Sequence, residues 1–352
     1  MSRLPVFVAA AVLLAATSAQ ASTVPPNAGL RPAAKQAQQS WAASDIRYVV
    51  AHGLMSKTVA AFRPSDPLTQ GELGALVAGL TKQTVQPSAN PSVHVTVTQL
   101  DARLVRALEL SDPATLFADE VRAAGLAPPA RFGTETVARL LGLRTDHPAA
   151  HDDLELLPTD EATRAEAAFS TAKILRFSGS EQQGVDDAAA AFTLPALTTW
   201  QKRVLTTAVR FVGYPYVWGG TSELHEAPFK VHAHGGFDCS GFVWRVYKLQ
   251  AYPGGTALSG ALKGRTTYAM SAEVPKAKRI PFARLAPADV IFFGDKGPAS
   301  KPAQVGHMGI YMGDGWFIHS SGQGVALASL SGWYKKRFAW ARRPLAEARL
   351  TP

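Results

Sequence analysis

The chain contains a single cysteine, Cys239, and its setting is one that a nucleophilic thiol can use. Residues 214–220 read Tyr-Pro-Tyr-Val-Trp-Gly-Gly and residues 237–241 read Phe-Asp-Cys-Ser-Gly. From Asp238 to Gln250 the pattern predicts a helix, with Phe242, Val243, Val246 and Leu249 on one face. Cys239 then stands in its first turn, facing unpaired backbone amides and the positive end of the helix dipole. Both are expected to lower the thiol pKa. The same amides, with Tyr216 if its loop folds over the site, can hold an oxyanion.

A thiol nucleophile needs a base. Residues 304–312 and 316–320 read as two strands joined at Gly313-Asp314-Gly315. A three-residue loop places Gly309 opposite His319 and His307 diagonal to it on the same face, about 7–8 Å away. A two-residue loop would put the two histidines on opposite faces. The first register suits His307 as base and His319 as the group that orients its ring. One thiol, two histidines sharing a face and a glycine-rich turn describe a cysteine hydrolase.

These residues carry a resemblance. Residues 199–345 resemble the NlpC/p-sixty family of papain-like cell-wall peptidases, through Tyr216-Val217-Trp218-Gly219-Gly220, Asp238-Cys239-Ser240-Gly241, the tract from Leu285 to Phe293, His307-Met308-Gly309-Ile310-Tyr311 and Ile318-His319-Ser320. The resemblance implies an α+β papain-like domain in which Cys239 is the nucleophile, His307 the base, His319 the orienting residue and Tyr216 the hydroxyl over the thiolate. It also implies that Asp238 and Ser240 hold the free amine of a stem peptide, with Trp218 and Arg265 among the substrate-binding residues. The reaction implied is hydrolysis of the γ-D-glutamyl–diamino acid bond of peptidoglycan, with no cofactor and no metal. A non-catalytic wall-anchoring protein, or a related papain-like amidase or acyl- or peptidyl-transferase, is the alternative.

Two departures stand out. Ala288 occupies a position where the family commonly has glycine. The connection from Thr221 to Gly236 is long for the family and carries His225, His232 and His234. It is expected to shape access to Cys239. His232 and His234 with Cys239 also offer a rival zinc site that would silence hydrolysis.

The remaining elements must deliver and position this centre. Residues 198–352 carry 20 Lys and Arg against 8 Asp and Glu, whereas residues 1–197 carry 16 against 19. A basic half beside a mildly acidic one points to an anionic polymer. Nucleic acid is disfavoured, since no zinc-finger spacing or basic helix stripe occurs. Arg3, the apolar run Val6–Ala16 and Ala19-Gln20-Ala21 read as a signal peptide over residues 1–21, too short to span a bilayer comfortably. A secreted, wall-associated protein, monomeric and without an internal disulfide, is expected.

Residues 22–40 read as a linker and residues 41–177 as a helical module. Within it Thr69-Gln70-Gly71-Glu72 predicts a capping box, Thr163 to Glu166 repeats the spacing, and residues 132–141 read as a degraded copy. Residues 45–80, and more loosely 157–177, resemble S-layer homology repeats, with Gln70 where arginine is usual. That resemblance implies attachment to an anionic secondary wall polymer; the alternative is a bundle that only packs on the catalytic domain. Residues 178–197 read as an interdomain linker. The catalytic domain, 198–345, opens with a helix whose stripe is Trp200, Val204, Leu205, Ala208, Val209 and Val212, stopped by Gly213.

Overall fold

A computed structural model describes residues 37–147 and 155–350; the expected signal peptide and most of the 22–40 linker lie outside them. The helical module is organised by a ring of three short extended segments. Leu68 donates its amide to Ala162 O (2.7 Å), Ala162 to Val95 O (2.8 Å) and Val95 to Leu68 O (2.9 Å). All three side chains are buried. Each segment runs into a helix whose first amides are capped by a threonine: Thr69 before Gln70–Thr81, Thr96 before Val97–Ala107 and Thr163 before Arg164–Ile174. The pseudo-threefold arrangement supports the reading of three repeats but moves one of them. The middle copy is at 93–107, not 132–141, whose helix Phe132–Leu140 starts at Arg131 without a side-chain cap. Gln99 closes the middle capping box in place of glutamate, which works because an amide oxygen accepts as a carboxylate does.

The 178–197 tract is not a linker throughout. Ser180–Ala191 is a helix, as its alanine run favours, with Val185 and Ala189 buried. Phe192 follows it and packs at 5.1 Å edge-on to Trp316 of the catalytic sheet and at 5.2 Å from Phe117 of the module. Module and catalytic unit therefore share one continuous apolar core.

Charges are buried in that shared region too. Arg144 is held between Asp101 and Glu166, and Arg139 lies against Glu155 (2.6 Å) and Glu135 (3.8 Å). Burial pushes the Glu135 carboxyl up to about 8 and Glu155 up to about 7. Such groups keep protons in the folded state that the unfolded chain releases near pH 4.5. Their contribution is full below that value and is lost as pH rises toward 8. Glu135→Gln is expected to flatten the fall of Tm between pH 5 and pH 9; equal slopes in variant and parent contradict this.

In the C-terminal unit the helix Thr199–Arg210 is capped by Thr198 and Gln201. It leads to an antiparallel sheet ordered β6-β5-β4-β3-β7, with β3 Val290–Gly294, β4 Val305–Gly313, β5 Trp316–Ser321, β6 Gly324–Ser329 and β7 Phe338–Arg342. The short pair β1 Thr221–Ser222 and β2 Gly236–Phe237 closes the base of the long connection. β3 is buried throughout, as its Val-Ile-Phe-Phe-Gly sequence requires. Ala288 holds φ +66° ahead of it, a conformation that costs a Cβ-bearing residue about 1–2 kcal/mol and accounts for the glycine expected there.

Candidate active site

The 214–220 loop and strand β5 hold the strand that leads into Cys239. Phe237 donates to Pro215 O (3.1 Å), and its own carbonyl accepts from Val217 N (3.2 Å) and from Ser320 Oγ of β5 (2.6 Å). Asp238 caps the helix Cys239–Trp244, which continues as a π turn over Arg245–Leu249. Its carboxylate accepts from Gly241 N (2.5 Å), Gly219 N (2.9 Å) and Ser240 Oγ (2.8 Å). Arg265 donates to Ser240 Oγ (2.8 Å) and to Gly219 O (3.0 Å). A Cβ at Gly241 would collide with Gly220 O, so the Asp-Cys-Ser-Gly turn fits only against the Trp-Gly-Gly loop. Asp238, Ser240 and Arg265 are thus engaged with one another. Together they brace the turn that carries Cys239, and the amine-holding role that the resemblance implies for Asp238 and Ser240 stays an expectation.

The Cys239 sulfur lies 3.5 Å from Thr267 Oγ1, and the backbone amides of Ser240 and Met308 act to lower its pKa. Its pKa nevertheless rises above the usual value near 9: burial is the largest cause and the Asp238 charge adds to it. This reverses the expected lowering. The helix beneath the thiol is six residues long, and its capping carboxylate opposes the dipole. At neutral pH the resting group is a thiol.

The histidines meet as their spacing demands, by an unexpected route. The turn between β4 and β5 is two residues, Asp314 and Gly315, with φ +45° and +82°, which alone would put His307 and His319 on opposite faces. A bulge between Tyr311 and Gly313 shifts the register by one and restores the pairing Ile310↔Ile318. Gly309 leaves room: a Cβ there would lie 3.1 Å from His319 Cβ. His307 Nε2 and His319 Nδ1 are 2.7 Å apart, with the rings at 83°. His319 Nε2 lies 3.5 Å from the Tyr334 hydroxyl.

With Nε2–H of His307 donating to His319, and Nε2–H of His319 donating to Tyr334, Nδ1 of His307 is left as the proton acceptor. Phe293 stacks on His307, and Phe317 lies 4.8 Å from His319. Burial pushes His307 down to about 4 and His319 lower than usual as well, the latter with help from His307. Both rings are neutral at pH 7. Strand β4, which bears His307, packs directly against the helix that bears Cys239.

Burial raises the Tyr216 pKa and the nearby Asp238 carboxylate adds to it, so its phenol stays protonated. Trp218 is 72% exposed on the rim. The 221–236 connection folds into a short hairpin, Glu226↔Ala233. Glu226 binds the amides of Thr221 and Ser222, and Phe229 lies over Gly219. His234 pairs with Asp160 of the repeat ring at 2.6 Å. No three His, Cys, Asp or Glu side chains gather to hold a metal ion among the described residues, so the rival zinc cluster does not assemble. Sequence reasoning missed Thr267 and Tyr334. Thr267 follows Arg265 by two and was open to discovery; nothing in the spacing of Tyr334 marked it.

A helix-borne cysteine set against an antiparallel sheet that carries two histidines defines a papain-like cysteine hydrolase fold. Residues 213–343 match the NlpC/P60 family model and residues 35–73 the S-layer homology domain model. The chain is 32% identical over 144 residues to the probable peptidoglycan endopeptidase LytE of Bacillus subtilis, covering 40% of this chain and 34% of that protein. It is 27% identical over 153 residues to a gamma-D-glutamyl-L-lysine dipeptidyl-peptidase of the same organism, covering 41% of each. A solved NlpC/P60 family protein from Bacillus cereus is 27% identical, covers 44% of this chain and 43% of its own, and overlays with a TM-score of 0.32. The chain thus spans less than half the length of these curated relatives.

Proposed function

We propose that this protein is a secreted, wall-associated peptidoglycan hydrolase that cuts the stem peptide between γ-D-glutamate and the diamino acid. The observation that carries the reading is the His307–His319 contact of 2.7 Å, with His307 on the strand β4 that packs against the Cys239 helix. Cys239 attacks the γ-glutamyl carbonyl as its proton passes to His307. The tetrahedral oxyanion forms beside the Ser240 amide and the Tyr216 hydroxyl. Collapse expels the diamino acid amine, which takes the proton from His307, and leaves a γ-glutamyl thioester. Water, deprotonated by His307, adds to the thioester and releases the acid and the thiol. No cofactor enters this scheme. The name of one relative, a peptidoglycan endopeptidase, supports the polymer, and that of another, a γ-D-glutamyl-L-lysine dipeptidyl-peptidase, supports the bond chosen.

The helical module is read as the wall-polymer-binding part. The S-layer homology match supports this, as does a cavity of about 570 Å³ bounded by Leu54, Lys57, Glu72, Gly79 and Arg164. Digestion of a disaccharide-tetrapeptide followed by mass spectrometry tests the bond. One product ending in D-glutamate and one beginning with the diamino acid are expected. Scission only at a D-alanyl cross-link, in dimeric substrate, would replace the proposed bond with another.

A further inference from the structure

Arg139 belongs to the helical module, yet its side chain is fully buried against the catalytic unit. Nη2 donates to Gly213 O and Nη1 to Gln323 O, each at 2.5 Å. The first carbonyl ends the helix before Tyr214-Pro215-Tyr216. The second lies in the turn between β5, which bears His319, and β6. These two segments pair directly: Gly213 N donates to Val325 O (3.0 Å) and Val325 N to Tyr214 O (2.8 Å). One guanidinium therefore sits across a seam between the Tyr216 loop and the His319 strand, and both are bonded to Phe237, two residues before Cys239.

The seam is shaped for its occupant. Gly213 (φ +95°) has Glu135 Oε2 2.7 Å from where a Cβ would stand, and Gly324 (φ +74°) faces Arg139 Nη1 in the same way. Glu155 Oε1 lies 2.6 Å from the guanidinium and gives it a polar partner. Burying an arginine without such partners is costly, and a planar fork meets two diverging carbonyls as an ammonium cannot.

We propose that Arg139 is a positioning residue of the catalytic centre, through which the helical module fixes the Tyr216 loop against the His319 strand. The proposal rests on the cysteine-hydrolase reading, but its test does not. In the full chain, Arg139→Met is expected to lower kcat on a stem peptide about tenfold to a hundredfold, as small misplacements of reacting groups do, with KM little changed. Alkylation of Cys239 by iodoacetamide, which needs no substrate, is expected to change rate with it. Arg139→Lys, reaching one carbonyl, is expected to fall between variant and parent. Glu120→Gln, which alters only the module's bond to the Leu194 amide, serves as an interface control and is expected to keep parental kcat. A folded Arg139→Met with parental kcat and parental alkylation overturns the proposal. Should that variant not fold, Arg139→Lys decides by the same readouts, and parental values in both overturn it. If the parent itself turns over no stem peptide, the function reading fails while alkylation still judges Arg139.

Discussion

Replacing His307 with alanine is expected to lower kcat/KM by roughly 10²–10⁴, the range that a positioned general base supplies. The size follows from the state of the thiol. Burial holds Cys239 above its ordinary pKa, so no thiolate–imidazolium pair stands ready and His307 must take the proton as the sulfur attacks. The pH profile carries the sign. His307 titrates near 4 rather than 6.5 because it is buried, and it acts as a base only when neutral. The acid limb of kcat/KM is therefore expected near pH 4, with full activity already at pH 6. A limb near 6.5 contradicts the geometry. The same shift has a stability consequence: the unfolded histidine binds a proton that the folded one refuses, so stability is lost as pH falls from 6.5 toward 4. His319→Ala leaves Nε2–H of His307 without its acceptor and is expected to cost less than His307→Ala, since the base itself remains.

Asp238→Ala is expected to cost about 3 kcal/mol of stability and at least a hundredfold in kcat. The carboxylate caps the nucleophile helix and accepts from Gly219 N, Gly241 N and Ser240 Oγ. Loss of a helix cap costs about 1 kcal/mol, and each buried donor left without a partner about 1–3 kcal/mol. Arg265 would lose its counter-charge as well. Asp238→Asn keeps an accepting oxygen and is expected to recover part of the loss. Urea unfolding and kcat measured on the same preparations check both parts. A variant that loses kcat without losing stability would place the weight on a direct role of Asp238 at the substrate.

The residues of the candidate site were legible because each stands in a short motif whose spacing has a geometric meaning. The pairing of His307 with His319 could be read from the count of residues between them, yet the count was right for a different loop. A bulge after Tyr311 does what a longer turn was expected to do, and a bulge leaves no mark in period-two alternation. The middle repeat escaped because Gln99 takes the place of the expected glutamate in its capping box. The helix Ser180–Ala191 escaped because few of its residues are apolar, although its alanines favour a helix. Burial was the least legible quantity. It reversed the expected direction at Cys239, and it joined two units that the sequence divided with a linker. Arg139 reads as an ordinary surface residue of an amphipathic helix until its partners at 213 and 323 are in place.

The central claim is that Cys239 performs the cut. Incubating the full chain and its Cys239→Ala variant with a defined muropeptide, and weighing the products by mass spectrometry, tests it most directly. The parent is expected to release a fragment ending in D-glutamate, and the variant none. The same fragment appearing in the variant would contradict the account.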